Sequence, residues 1–307
     1  MQSQAVKSRR IGVLMGGRSA ERAVSLETGS SVLDALRERG FEVVAIDVDT
    51  DVCDQIERAA IDVAFIALHG RWGEDGCIQG FLESINIPYT GAGVLASALA
   101  MDKVLSKQLL RAAGVPTADW QYPASARSAE LGFPLVLKPR AEGSSVGVTI
   151  AKDAGQLEAT LAAATQPLLA ERYIPGRELS VAVVGAGADA RCLGSIEIVP
   201  QNGGFYDYEA KYESDQTRYV TPPEMPADVL EEMQSAALTT HRLLGCAGAT
   251  RTDFRWDERS AEPPQLLEVN TLPGLTSHSL LPKIAARVGI NYGDLVELII
   301  AEAGLKA

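Results

Sequence analysis

Residues 11–90 constrain the fold most. Short apolar runs at 11–15, 41–47 and 63–68 each give way to a segment with helical patterning, at 24–39, 51–59 and 78–85, and a short extended run follows at 88–90. Strands that alternate with helices in this way pair in parallel, with the helices covering both faces of the sheet. Ligands bind such sheets outside the carboxyl ends of the strands. Two glycine-dense loops fall there, GGRSAER (16–22) and HGRWGEDG (69–76). The first is not a dinucleotide fingerprint, because it lacks the spacing and the third glycine of G-x-G-x-x-G. Taken alone, Glu21 reads as a carboxylate favoured by a helix N-terminus, and His69 as a loop histidine satisfied by backbone. The glycines suggest close backbone approach to a ligand.

The 307 residues are enough for two or three domains. A net charge of −12 argues against a general nucleic-acid or anionic-membrane surface, so an anionic ligand would need a local cluster of Lys and Arg. Cys53, Cys77, Cys192 and Cys246 form no CxxC and read as reduced, mostly buried thiols of a cytoplasmic protein. Residues 1–10 are polar and basic with no apolar core, so they read as a tail and not a secretory signal. No apolar run is long enough to span a membrane.

In the middle of the chain, 91–93 reads as a linker and 101–113 as a helix carrying Lys103. Strands at 134–138 and 148–151 flank the loop around Glu142, Ser144 and Ser145. This loop is no Walker A motif, yet its N–H groups and hydroxyls could close over phosphates. Lys138 could add a point charge to a phosphate, or simply edge a solvated hairpin. The strand ending at Glu171 could read an adenine through an exposed backbone edge, and Glu178 could accept from ribose hydroxyls or be solvated.

Strands at 178–184 and 191–199 precede an aromatic and polar loop with Lys211 and Tyr212, and a helix at 226–244. The run from Arg251 then reads as a hairpin whose turn, 257–264, carries two prolines. Period-two alternation puts Arg251, Asp253 and Arg255 on one face of the first arm, and Leu266, Glu268 and Asn270 on one face of the second. Asp253, Glu268 and Asn270 would then form an oxygen set suited to Mg²⁺ or Mn²⁺ completed by phosphates. The competing reading pairs these carboxylates with Arg251 and Arg255. Residues 271–282 form a loop entering a helix, where Ser279 is either an N-cap or part of an anion site.

Six stretches, GGRSAER, ALHGRWGEDG, PYTGAGVLASALAMDK, KPRAEGSSVG, YDYEAKY and EVNTLPGLTSHSLLP, run in order from residue 16 to 282. Together they resemble the ATP-grasp superfamily, and closely its D-alanine–D-alanine ligases. The resemblance implies three α/β domains, at 1–100, 101–184 and 185–307, with ATP between the second and third. It implies that Lys103, Lys138, Glu142, Ser144, Ser145, Glu171, Ile174, Glu178 and Lys211 hold ATP, and that Asp253, Glu268 and Asn270 hold two Mg²⁺ or Mn²⁺ ions. Glu21, with His69 nearby, would bind the first D-alanine. Arg251 and Gly274 would hold the oxyanion, and Ser279 and Leu280 the second carboxylate. Glu21, Ser144 and Tyr212 would form a hydrogen-bonded triad under a lid built from 142–147 and 205–215. Tyr212 implies the dipeptide-making type, since phenylalanine there is linked to D-lactate. Trp72 and Leu272 depart from the family pattern, and Trp72 could narrow the first-substrate site. A homodimer is implied as well. The alternatives are a ligase that takes D-lactate or D-serine second, and a regulatory protein that kept the fold without catalysis.

Overall fold

The computed structural model describes residues 7–143, 146–200 and 217–306. Its elements, in order, are β1 (Arg10–Gly16), α1 (Arg22–Glu38), β2 (Glu42–Val48), α2 (Val52–Ala59), β3 (Val63–Ile66), α3 (Cys77–Ser84), α4 (Val94–Met101), α5 (Lys103–Ala112), β4 (Trp120–Gln121), β5 (Leu135–Pro139), β6 (Thr149–Ala151), α6 (Ala154–Ala163), β7 (Leu168–Arg172), β8 (Arg177–Val184), β9 (Arg191–Pro200), β10 (Thr217–Val220), α7 (Ala227–Leu243), β11 (Ala249–Trp256), β12 (Gln265–Asn270), α8 (Leu280–Arg287) and α9 (Tyr292–Ala301).

Three sheets result. The first is parallel, in the order β2-β1-β3. β3 is apolar and buried along its length and β1 is so over residues 11–14, where both faces are covered, while β2 at the edge leaves Glu42, Ala45 and Asp47 exposed. The run at 88–90 contributes one bridge, Tyr89 beside Ala64, and Tyr89 also bridges Gly304 near the chain's end. A five-stranded antiparallel sheet runs β10-β9-β8-β11-β12, and a four-stranded one runs β4-β7-β5-β6. β8 thus pairs with β9 and β11 in the larger sheet, although the sequence places residues 177–184 with the central unit. Arg10, read as tail, already pairs with Glu42 in β1.

Two helices escape sequence reading. α4 has small residues inward (Ala96, Ser97, Ala100) and Leu95 outward, 70% exposed, so it shows no clear apolar stripe. α9 packs on α1, where Arg39 binds Glu297, Asp294 and Asn291 at 2.7–3.0 Å. The thiols differ from expectation too. Cys53 and Cys77 are exposed, Cys192 is half-buried and only Cys246 is buried.

One core cluster joins the parallel sheet to the larger antiparallel sheet through α8 and α9, with Ile11, Val32, Ile196, Ile284 and Ile299 among its members. A Cβ on Gly194 of β9 would come within 2.9 Å of Ile284, so the glycine makes room for that side chain. Ile284→Ala is expected to cost about 2–5 kcal/mol in urea unfolding, the usual range for a buried large-to-small change. A loss under about 1 kcal/mol would mean that this seam carries little of the stability.

Candidate active site

The site begins with a break between helices. Asp102 leaves the helical conformation, and its side chain accepts from Val104 N and Leu105 N, both at 3.0 Å. An aspartate in this role caps α5 and makes Lys103 its first residue. The other carboxylate oxygen takes Arg140 Nε at 2.7 Å, which ties the helix start to the end of β5. Lys103 Nζ reaches the Glu142 carbonyl at 2.7 Å and Glu268 at 3.3 Å.

The hairpin supplies the next groups. Arg251 lies opposite Asn270, and Asp253 opposite Glu268. The register then slips, so that Phe254 faces Leu266. This bulge corrects the alternation expected for β12. Leu266 is fully buried beside Phe254 and Val269, and Leu267 turns to the cleft with Glu268. Asp253 receives a two-pronged contact from Arg251 at 2.8 and 2.9 Å, and Ser180 Oγ donates to it at 2.6 Å. The Asn270 side-chain oxygen accepts from Leu272 N at 3.0 Å.

Two clefts meet along this hairpin. The first has an empty volume of ≈ 1010 Å³ including its open mouth. Glu21, His69, Glu74, Arg251, Gly274, His278, Ser279 and Leu280 line it. A Cβ on Gly143 would come within 2.9 Å of Glu21, and one on Gly70 (φ +67°) would come closer still. The glycine density thus lets backbone close on Glu21 itself. Gly274 leaves room for Ser279 Oγ, which bonds to Thr276 N and Thr276 Oγ1, both at 3.0 Å. α8 therefore starts without a side-chain cap, a geometry that suits a carboxylate.

His69 is 6% exposed and meets Thr28 Oγ1 at 3.2 Å. Burial pushes its imidazole down to about 4, and the charge of Arg251 adds to this while a bond to the Leu272 backbone opposes it. Burial, and next the charge of Glu21, push Glu74 well above the usual carboxylate range, against a 2.6 Å bond from Gly70 N.

The second cleft, ≈ 780 Å³, is lined by Lys138, Glu171, Ile174 and apolar Val136, Val146, Val148 and Leu267. It shares Lys103, Glu142, Glu178, Asp253 and Glu268 with the first. Glu178 is not a solvated carboxylate, since Arg255 holds it at 3.1 Å and also reaches the Ile174 carbonyl. Glu171 differs from its reading as a strand-edge residue. β7 is an inner strand there, paired with Trp120 on one side and Val136 on the other. The Glu171 side chain is 2% exposed between Lys107 and Lys138.

Trp72 does not narrow the first cleft. It is 44% exposed, outside the lining, with Arg18 and Arg71 at 4.9 and 5.4 Å from its ring. Leu272 is buried against Tyr89 and neighbours. Ser144, Ser145, Lys211 and Tyr212 lie outside the described residues. Among the described residues, no three His, Cys, Asp or Glu side chains gather as a metal cage. Asp253 lies opposite Glu268, and Asn270 follows two residues on in β12, oxygen donors of the kind that would suit Mg²⁺ if phosphates filled the remaining positions.

Two antiparallel sheets gripping one cleft, with paired carboxylates where it opens into a second, define an ATP-grasp arrangement. Residues 10–53 and 52–92 match the family described as D-ala D-ala ligase N-terminus, and 109–301 match D-ala D-ala ligase C-terminus. The chain therefore belongs to the D-alanine–D-alanine ligase family. It is 47% identical to the D-alanine–D-alanine ligases of an Anaeromyxobacter species, over 97% of this chain and 98% of that one, and of Geotalea uraniireducens, over 98% and 97%. The crystal structure of the Bacillus anthracis D-alanine–D-alanine ligase superposes with a TM-score of 0.82 at 39% identity, covering 95% of this chain and 96% of that one. A B. anthracis structure complexed with ATP gives 0.81 at 36%, covering 96% and 97%.

Between pH 6.5 and about 4 an unfolded chain protonates His69 while the folded one does not. Stability therefore falls as pH falls through that window, by roughly 3 kcal/mol for this group. His69→Gln should lose that share of the pH slope in denaturant titrations. An identical slope in variant and wild type would show that His69 is not held neutral.

Proposed function

We propose that this chain joins two D-alanines into D-alanyl-D-alanine at the expense of ATP, for peptidoglycan precursor synthesis in the cytoplasm. The observation that carries this reading is the junction of the two clefts at Lys103, Glu142, Glu178, Asp253 and Glu268. A nucleotide in one cleft would point its terminal phosphate into the other, which gives the proximity a phosphoryl transfer needs.

In this reading adenine lies among Val136, Val148 and Leu267, near the backbone at Ile174. Glu178 accepts from the ribose, while Lys103 and Lys138 meet the phosphates, with Glu142, Ser144, Ser145 and Lys211 around them. Glu21 holds the ammonium of the first D-alanine beside His69. The carboxylate of that D-alanine attacks the γ-phosphorus, a P–O bond forms, and ADP leaves with the electrons of the broken one. The product is D-alanyl phosphate. The second D-alanine, its carboxylate at Ser279 and Leu280, attacks the acyl carbon through its amine. Arg251, steadied by Asp253, and the backbone near Gly274 hold the oxyanion. The acyl C–O bond then breaks, and phosphate leaves with its electrons and takes up the proton that the amine gives up.

Asp253, Glu268 and Asn270 would hold Mg²⁺ or Mn²⁺, two ions by family resemblance. When bound, the metal neutralises phosphate charge. Glu21, Ser144 and Tyr212 would support the site and its lid, and Tyr212 favours the dipeptide product. A homodimer follows from the family resemblance, and no described helix is long and apolar enough to cross a membrane.

Phosphate release from MgATP with D-alanine, L-alanine, D-serine or D-lactate, with products identified by mass, tests the proposal. D-alanine-dependent release with D-alanyl-D-alanine as product is expected. ATP binding without turnover would favour a regulatory role, and a mixed product would move the specificity. Asp253→Asn should lower turnover by roughly 10²-fold or more. A fully active variant would remove Asp253 from the metal shell.

A further inference from the structure

Lys107 is fully buried, yet it belongs to neither cleft lining. It lies one helical turn beyond Lys103 on α5. Its ammonium donates to Thr117 Oγ1 at 2.5 Å and the Ala118 carbonyl at 3.1 Å, and it pairs with Glu171 Oε1 at 2.7 Å. The other oxygen of Glu171 holds Lys138 at 2.5 Å. Two ammonium groups thus share one buried carboxylate. Burial opposes the Glu171 charge, and the two lysines together hold its pKa below the usual value.

The charge balance gives Lys107 a purpose. Burial lowers the Lys107 pKa and the charge of Glu171 opposes this. With Lys107 protonated, two cations and one anion give the trio a net charge of +1, and Lys138 is its cation that borders the second cleft. Without Lys107, a buried Glu171 would cancel Lys138 alone, and in a low-dielectric setting little screening would intervene. A neutral donor could satisfy Thr117 and Ala118 with less desolvation cost than a buried ammonium. The cation is therefore matched to Glu171.

We propose that Lys107 is a positioning residue for nucleotide binding, neutralising Glu171 from the buried side so that Lys138 keeps its geometry and still offers its charge to phosphate. The inference rests on the reading that this cleft takes ATP. Lys107 touches no ligand itself and acts through Glu171.

The test compares MgATP and adenosine binding by calorimetry, with thermal melting, for wild type, Lys107→Met and Lys107→Met/Glu171→Gln. Lys107→Met should weaken MgATP about tenfold and leave adenosine nearly unchanged. The double variant restores the +1 balance and should recover most of that loss. Lys107→Gln, which keeps a donor, replaces the methionine variant if the latter does not fold. Equal losses for both ligands, unchanged MgATP binding, or no recovery in a folded double variant would overturn the inference. Wild type that binds adenosine but gains nothing from the phosphates would overturn the ATP reading itself, and the inference with it.

Discussion

Asp253 and Glu268 stand directly opposite each other across the β11–β12 hairpin. Like charges in that relation ordinarily weaken a sheet by a few tenths to about 1 kcal/mol. Here the surroundings absorb the repulsion. Arg251 and Ser180 hold Asp253, and Lys103 reaches Glu268 from the start of α5. Much of the site follows from keeping two carboxylates side by side. The helix break at Asp102 aims Lys103, and the bulge at Leu267 keeps Leu266 in the core while Glu268 faces the cleft.

Other charges form a second layer with a different logic. Those around the second cleft come as fixed pairs, Arg255 with Glu178 and Lys138 with Glu171. Those around the first cleft include a neutral histidine and a carboxyl held toward its protonated form. Burial separates the two behaviours. Where counter-ions were built in, charge survives in the interior. Where they were not, proton uptake or loss removes it.

Much of this was legible in the sequence because the informative residues are local. Period-two alternation puts Arg251 and Asp253 on one strand face, whereas Glu21, His69 and Ser279 keep a second reading until the six motifs are taken together as a family resemblance. The illegible parts depend on distant pairing. That Glu171 is flanked on both sides depends on β4 and β5 aligning with β7. The direction of Leu266 depends on a slip in register, and the outward turn of Trp72 on where Arg18 lands. α4 lacked the apolar contrast by which a surface helix is read.

The bridge between Tyr89 and Gly304 has a consequence for how the chain comes into being. Tyr89 emerges early in synthesis, but the partner that covers it arrives about 200 residues later. The same holds for α1, whose outer face waits for α9. The parallel sheet can collapse on the ribosome, but it cannot be sealed there until the last helix has left the exit tunnel. The parallel sheet around Tyr89 is therefore completed by a segment about 200 residues further along the chain, and its edge stays open until that segment has emerged.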